Sequence, residues 1–226
     1  FFSGCIQDPI ELDSVEIREY QGEDLSSVQD FRENSIKGPQ EIDEDEYQLR
    51  ITGLVEKTKS YSYTEVLNRF QSYKKVVRLN CVEGWSVDIL WEGVLIEDIL
   101  NEVEPTTDAK IIIFHAEDGY TTSLSIDYII ENNLLIAYKM NNVTLPVERG
   151  FPFQLVAESK WGYKWIKWIT EIELSSDELK WETSLDETPP GEKDHKEKIK
   201  NILRRHLRSS LGYYIQFLSD DDFGKL

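Results

Sequence analysis

Residue types on which many protein sites depend are scarce in this chain of 226 residues. It has two cysteines, three histidines and one methionine. Two cysteines are too few, within the chain, for a disulfide scaffold, for an iron–sulfur cluster held by four cysteines or for a cysteine-rich zinc site. The histidines are scattered along the sequence, so a histidine-based metal site is not expected.

Positive charge is also scarce. Lys and Arg number 25 against 43 Asp and Glu, which gives a formal net charge of -18. Nucleic acids and anionic lipid surfaces are bound through arrays of Lys and Arg, so neither is expected as the main partner. No apolar run approaches the roughly 18 to 20 residues that span a bilayer. Aromatic residues, by contrast, make up 12% of the chain and can supply a sizeable core.

The N-terminal residues 1–33 are predicted to be an acidic, loosely ordered lead-in. Residues 1–47 contain fourteen Asp or Glu against three basic residues, with few large apolar residues at regular spacing. Phe2-Ser3-Gly4-Cys5 is similar to the end of a bacterial or archaeal lipoprotein signal, which makes Cys5 a candidate lipid anchor. The alternative is an ordinary cysteine in a loose N-terminal segment, and a Cys5–Cys81 disulfide is not expected.

The C-terminal part is predicted to contain a linker and a helix. Residues 177–194 are acidic and include Pro189-Pro190-Gly191, which breaks regular structure and is typical of a linker. Residues 195–226 begin with apolar residues at helical spacing among Lys and Arg, which predicts a basic amphipathic helix followed by a tail. This helix either packs on the acidic body of its own chain or docks on a partner or a membrane surface.

Residues 34–176 form the predicted main domain, in which short strands outnumber helices. Alternating or β-branched runs predict strands over 47–51, 76–80, 111–115, 120–126, 134–139, 153–157 and 168–174, with a hairpin turn at Asn141-Asn142. Helices are predicted over 62–71, 94–103 and 126–132. Since β–α alternation and a Gly-rich phosphate loop are lacking, a doubly wound nucleotide fold is not expected. The predicted fold class is α+β, with a mixed, mostly β core and short helices.

Cys81 follows the predicted strand 76–80 and precedes the Gly-containing loop Val82-Glu83-Gly84-Trp85. A strand end that opens into such a loop can present a side chain rigidly to a cleft. From the pattern alone, however, a lone cysteine after an apolar strand is usually a small buried hydrophobic residue.

Several segments in fixed order carry a resemblance to a known family. They are Tyr47–Gly53, Asn80–Ser86 with the nearby Trp91–Val94, Asp118–Tyr120, Gly150–Pro152 and Lys160–Ile169. Together they resemble the sulfite oxidase family of molybdopterin-dependent oxidoreductases, and within it the bacterial periplasmic methionine sulfoxide reductases. The resemblance covers about residues 34 to 174. It implies a sulfite oxidase-like molybdopterin-binding fold, a molybdenum–molybdopterin cofactor and an enzyme.

The resemblance assigns roles to particular residues. Cys81 matches the thiolate that ligates molybdenum, a metal suited to soft sulfur ligands. The cofactor's phosphate would be held by the loop Lys164, Trp165, Ile166 and Lys167, with Trp165 and Ile166 acting through their backbone. Lys160 adds a third lysine within eight residues, as anchoring a buried dianion requires. The alternative is a Trp-rich strand whose lysines reach solvent.

Five further positions are candidates for the site or depart from the family pattern. Asn34 and Arg149 match positions that contact the pterin. Tyr120 matches a tyrosine of the substrate pocket, although a core or rim tyrosine is the alternative. Gln154 stands where the family has an Arg, so one cationic contact to the pterin is missing or displaced to Arg149. His115 could face the pocket, with a hydrogen-bonded strand histidine as the default.

The function implied is oxygen-atom transfer on a small S-oxide, N-oxide or sulfite-like substrate. Acidic composition and Gln154 favour a neutral oxide over dianionic sulfite. The chain lacks a haem-attachment motif and a dimerisation domain after Leu174, so we expect a monomer that exchanges electrons with a separate membrane or haem protein. An extracytoplasmic location is expected. The alternative is a non-enzymatic surface lipoprotein or binding module that keeps the fold without molybdenum.

Overall fold

The structure is a computed structural model that describes residues 15–176. The candidate lipid anchor Cys5 and the predicted segments 177–194 and 195–226 lie outside the described residues. Within residues 15–176, no helix is both long enough and apolar enough to cross a membrane.

Short strands dominate the described part of the chain. The strands are β1 (Glu19–Tyr20), β2 (Glu23–Asp24), β3 (Leu49–Gly53), β4 (Lys59–Tyr61), β5 (Ser72–Asn80), β6 (Ser86–Leu95), β7 (Ile111–Ala116), β8 (Thr121–Ser125), β9 (Leu135–Met140), β10 (Val143–Thr144), β11 (Gln154–Val156) and β12 (Ile169–Ser175). The α-helices are α1 (Tyr63–Arg69), α2 (Ile96–Val103) and α3 (Ile126–Glu131), and single 3₁₀ turns cover Val147–Arg149 and Gly162–Lys164.

Two five-stranded sheets form the body of the domain. The first has the order β10-β9-β6-β5, with β11 also paired to β9, and the second has the order β4-β3-β12-β7-β8. β12 runs parallel to β3 and antiparallel to β7, so the second sheet is mixed. Buried side chains from both sheets join one hydrophobic core that includes Trp91, Phe114 and Phe153. This architecture confirms the predicted α+β class with a mostly β core.

Local sequence motifs correctly predict the location of several elements. Ser62 and Glu65 form the predicted capping box of α1, and the hairpin turn at Asn141 and Asn142 has the positive φ values that Asn tolerates. The sequence pattern does not predict β6, the long central strand that pairs with both β5 and β9. Its Gly93 lies so close to β9 that an added Cβ would be 2.1 Å from the carbonyl oxygen of Ile136. Because β6 continues through Leu95, α2 begins at Ile96 rather than at Val94.

The prediction of a loosely ordered lead-in is wrong for residues 15–33. Glu16 accepts hydrogen bonds from the backbone N–H of Val28 and from the side-chain amide of Asn141. The same amide donates to the carbonyl oxygen of Ser26 at 2.7 Å, and the N–H of Ile17 donates to the Asn141 carbonyl. Composition alone could not show that a fully buried asparagine on the body supplies these partners.

Candidate active site

Cys81 lies at the end of β5, where distant segments of the chain meet. Asn80 forms a parallel bridge with Trp161, and the backbone at Gly162 lies beside the Cys81 Cα. From the N-terminal side, the Asn34 side-chain Nδ2 lies 3.9 Å from the Cys81 Sγ, and the ring of Phe31 packs on that of Trp85 at 5.6 Å. Asn34, the segment Asn80–Ser86 and the segment Lys160–Ile169, all singled out by the family resemblance, are therefore neighbours in space.

A tight turn fixes the cysteine itself. The N–H of Cys81 donates to the carbonyl oxygen of Trp85, and the N–H of Gly84 donates to that of Cys81, so the loop closes directly behind β5. Cys81 is a free cysteine that is only 6% exposed. The turn thus holds the sulfur at a fixed, buried position.

The surroundings of the Cys81 sulfur shift the pKa of its thiol in both directions. Burial raises the pKa of the Cys81 thiol to about 11, and the nearby Glu83 acts in the same direction. The nearby backbone N–H groups of Glu83 and Val82 and the Asn34 side-chain amide act in the opposite direction and lower this pKa. A free Cys81 is therefore protonated at neutral pH, while the Asn34 amide and the nearby backbone N–H groups favour the thiolate form. A bound cationic metal would remove the proton.

The three lysines of the segment 160–168 contact three different parts of the domain. Lys164 is 4% exposed and donates through Nζ to the carbonyl oxygen of Ser123 on β8. Lys167 pairs with Glu33 at 2.5 Å and is stacked on Trp168. Lys160 lies over the Tyr128 ring of α3 at 4.2 Å.

Two further features of this segment bear on phosphate binding. Within residues 15–176, the backbone N–H groups of Ile166 and Lys167 donate to no protein acceptor, and Ile166 itself is 2% exposed. Trp165 is packed on Trp91, and its indole Nε1 donates to the carbonyl oxygen of Lys160. Its backbone N–H, predicted to act with that of Ile166, donates instead to the carbonyl oxygen of Gly162, so the prediction is wrong for this group. The segment therefore presents two adjacent amides on a backbone that is anchored in the core, as an anion site requires.

Arg149 lies beside this segment, and its guanidinium group contacts the N-terminal segment. Nε donates to the carbonyl oxygen of Val28 at 2.9 Å, and Nη2 donates to that of Phe31 at 2.6 Å. Gly150, with a φ of +100°, brings the Arg149 turn so close to Lys167 that a Cβ there would lie 2.9 Å from the Lys167 Cβ. Burial lowers the pKa of both Arg149 and Lys167, so both cations are held at a cost.

Tyr120 and His115 lie in different settings. The Tyr120 hydroxyl donates to the carbonyl oxygen of Tyr163, which ties the β7–β8 turn to the segment 160–168. Burial raises the pKa of Tyr120 well above its ordinary value, so the hydroxyl stays protonated. His115 is paired with Glu173 of β12 at 2.8 Å, in agreement with the default of a hydrogen-bonded strand histidine.

Sequence analysis missed Phe31, Glu33 and Trp85 as parts of this site. Nothing in the sequence marked them individually. Phe31 and Glu33 lie in the segment predicted to be loosely ordered, and Trp85 was noted only as part of the motif that follows Cys81. Gln154, at the position where the family has an Arg, is 4% exposed on β11.

The residues present fit a molybdopterin cofactor. Within residues 15–176, no group of three or more His, Cys, Asp or Glu could hold a metal ion, so a metal at Cys81 would take its other ligands from the cofactor. Cys81 offers one soft sulfur with N–H donors around it, and Ile166 and Lys167 offer two amides and a cation for a phosphate.

Comparison with known proteins shows the family of this chain. The family model for the oxidoreductase molybdopterin-binding domain matches residues 36–182. The uncharacterized oxidoreductase YuiH of Bacillus subtilis is 33% identical over 132 residues, which cover 58% of this chain and 66% of the relative. The protein-methionine-sulfoxide reductase catalytic subunit MsrP of Xanthomonas campestris is 30% identical over 171 residues, which cover 66% of this chain and 53% of the relative. The chain thus spans between about half and two thirds of these curated relatives.

Among solved structures, the sulfane dehydrogenase SoxCD from Paracoccus pantotrophus has a similar fold. The TM-score is 0.60 at 21% sequence identity, and the match covers 63% of this chain and 41% of that one. At this identity the likeness concerns the fold alone, and it confirms the predicted sulfite oxidase-like molybdopterin-binding fold.

Proposed function

The chain belongs to the family of oxidoreductase molybdopterin-binding domains, and from that premise we propose that it catalyses oxygen-atom transfer at a molybdenum ion ligated by Cys81. The observation that carries the proposal is the setting of the Cys81 sulfur. It is buried at a strand end, 3.9 Å from the Asn34 side-chain Nδ2, and nearby backbone N–H groups of Val82 and Glu83 act to lower the pKa of its thiol. A cysteine that served only as a small core residue would need none of these donors.

The remaining site residues divide into those that bind the cofactor and those that shape the pocket. The amides of Ile166 and Lys167 and the ammonium group of Lys167 would hold the phosphate. Trp165 and Lys164 fix the backbone of that segment through Lys160 and Ser123, and Lys164 adds positive charge beneath it. Asn34 and Arg149 would face the pterin. When bound, the cofactor supplies oxygen-atom transfer coupled to a two-electron change at the metal.

The substrate proposed is a small neutral S-oxide or N-oxide. The MsrP relatives are named as protein-methionine-sulfoxide reductase catalytic subunits, and Gln154 replaces a cationic residue of the family pattern. Tyr120 remains a candidate for the pocket wall, with its hydroxyl protonated and held by Tyr163. Electrons would be exchanged with a separate redox partner. We also propose a monomer located outside the cytoplasm, with Cys5 as its lipid anchor.

The test is molybdenum and pterin analysis of the full chain from a host that makes molybdopterin. We expect about one molybdenum atom per chain, as a single thiolate ligand implies, and the loss of this metal in Cys81→Ser. Reduction of methionine sulfoxide with a reduced dye as electron donor should be lost in the same variant. Cys5→Ser is the matched control, since it removes the chain's other cysteine and should keep both metal and activity.

Two negative outcomes of the metal analysis would contradict different parts of the proposal. If the wild-type chain contains no molybdenum although a known molybdenum enzyme from the same cells is loaded, the oxidoreductase proposal is wrong. If metal is bound but Cys81→Ser retains it, the chain is a molybdenum protein with a different ligand, and the role of Cys81 is wrong.

A further inference from the structure

The segment of residues 26–34 crosses the site and is bound to the body at its start, middle and end; we name it the strap. At its start, the N–H of Ser26 donates to the carbonyl oxygen of Asp88 on β6, and the Asp88 N–H donates back to the Ser26 hydroxyl. The fully buried Asn141 holds the Ser26 carbonyl. Sequence composition predicted a loose chain here, whereas the structure fixes this point by three hydrogen bonds.

Arg149 binds the middle of the strap. Its guanidinium group donates to the carbonyl oxygens of Val28 and Phe31 and lies over the Phe31 ring, 3.8 Å from the ring centroid. The Phe31 ring in turn packs on Trp85, whose carbonyl oxygen accepts the N–H of Cys81. A continuous series of contacts therefore runs from Arg149 through Phe31 and Trp85 to the turn that holds the sulfur.

Lys167 binds the end of the strap. Its ammonium group pairs with Glu33 at 2.5 Å, with the lysine side chain 14% exposed and the glutamate side chain 23% exposed. Asn34 is the next residue, and its side-chain amide is the group that reaches the Cys81 sulfur. A carboxylate anchored one residue before Asn34 leaves that residue little freedom to swing away from the sulfur.

We propose that the strap is a built part of the site, and that Arg149, Phe31 and Glu33 are positioning residues that hold it closed over Cys81 with Asn34 against the sulfur. Arg149 then acts through the strap, beside the pterin contact that the family resemblance gives it. The proposal deepens the proposed function and rests on it for the role of Cys81 as a ligand. Its geometric content, the covering of the sulfur, can be tested without the cofactor.

The test is the rate at which iodoacetamide alkylates Cys81 in the full chain prepared without cofactor. In a Cys5→Ser background Cys81 is the only thiol, so mass spectrometry reads it directly. We expect slow alkylation in the parent and a rise of about tenfold in Arg149→Ala, because two charged hydrogen bonds that oppose local opening are lost. Phe31→Leu should raise the rate as well. The alkylation rate of the double variant should be only slightly higher than that of Arg149→Ala, since both residues act through one series of contacts.

Arg69→Ala is the matched control. Arg69 also lies over an aromatic ring, that of Tyr61, and also makes a charged hydrogen bond, to Glu102, but it does so away from the strap. Urea unfolding of both variants measures the loss of general stability, which we expect to be smaller in Arg69→Ala because its side chain is 54% exposed. An open strap raises the alkylation rate of Arg149→Ala beyond what its loss of stability accounts for. Equal rates in the two variants would overturn the proposal. If Arg149→Ala does not fold, Phe31→Leu and Glu33→Gln decide, and parent-like rates in both would overturn it.

The outcome for the strap is separable from that for the metal. Loss of molybdenum in Cys81→Ser together with an unchanged alkylation rate in the strap variants would leave the proposed function standing and remove the strap. A protected thiol that opens in Arg149→Ala, in a chain that never binds molybdenum, would do the reverse. With the cofactor bound, an open strap should also speed the release of pterin into buffer, which fluorescence measures.

Discussion

Two regions contain the same kinds of charged residue in different settings. One is the site edge, which consists of Arg149 and residues 160–168, and the other is the outer face of the second sheet. On the outer face, Arg50 and Thr52 of β3 both donate to Glu171 of β12, and His115 pairs with Glu173. These side chains are partly exposed, from 21% for Glu171 to 54% for Arg50. At the site edge, Arg149 is 7% exposed as a whole residue and donates to carbonyl oxygens.

The difference concerns what neutralises each cation. On the outer face, water and a facing carboxylate together neutralise each cation. An ion pair there contributes little to stability because solvent screens it. Lys167 has a hydrogen-bonded carboxylate in Glu33, while the charges of Glu148 and Glu33 act on Arg149 without a hydrogen bond and carbonyl oxygens accept its N–H groups. Burial lowers the pKa of both cations, so the fold bears a cost for keeping positive charge there. A fold that keeps two buried cations beside the backbone amides of Ile166 and Lys167, which donate to no acceptor within residues 15–176, is suited to bind an anion.

The largest expected effect is at Trp165, through which the site edge is anchored in the core. Trp165→Ala removes the packing on the fully buried Trp91 and the hydrogen bond to Lys160. We expect a loss of about 3 to 5 kcal/mol in unfolding free energy, the usual cost of deleting a buried Trp. Urea unfolding of the full chain measures it. A loss below about 1 kcal/mol would mean that this segment is not anchored in the core.

Lys167→Met should have the next largest effect, because it leaves Glu33 without its partner. We expect a loss of about 1 to 3 kcal/mol, the cost of a partly buried charged group left unpaired. The double variant Lys167→Met with Glu33→Met should recover part of this loss, because no unpaired charge then remains. Cofactor content should still fall in the double variant, since the cation is gone. Recovery of both stability and cofactor would contradict a phosphate-binding role for Lys167.

Periodicity and local motifs allowed much of the fold to be predicted. The capping box of α1 and the Asn141-Asn142 turn depend on neighbours in sequence, so the sequence alone predicts them. The strand β6 was missed because both of its faces are covered and its apolar run is interrupted by Asp88 and Glu92, which leaves no alternation to recognise.

The site could be predicted only as far as residues carry their own chemical signature. Cys81 was singled out by the family resemblance, since the pattern alone favoured a small buried residue, and the lysines gained weight from their clustering in an acidic chain. Phe31 and Glu33 could not be found, because their roles depend on contacts with Arg149 and Lys167 more than a hundred residues away. The same long-range contacts explain why a segment with a disordered composition is ordered here.

On the outer face, Glu171→Gln should have a smaller effect that depends on pH. Burial acts to raise the pKa of Glu171, but hydrogen bonds from Thr52 and Arg50 outweigh it, and the net pKa is lowered. The unfolded chain then binds the proton more tightly, so the stabilisation is present above the ordinary pKa and is lost as pH falls through the lowered one. We expect the variant to be about 1 kcal/mol less stable at pH 7. The difference should shrink in acid, as urea unfolding at a series of pH values would measure. A difference that stayed constant down to acid would show that Glu171 acts by packing.

Arg50→Ala should have the smallest effect and gives the sharpest check of the comparison. Its side chain is 54% exposed, and Glu171 keeps its hydrogen bond from Thr52 when the Arg is removed. We therefore expect a loss of only about 0.2 to 1 kcal/mol, and less at high salt, because solvent already screens the pair. Urea unfolding at low and high salt, alongside Lys167→Met, measures both. If Arg50→Ala costs as much as Lys167→Met, burial does not distinguish the two regions, and the positive charge at the site edge would need another explanation than anion binding.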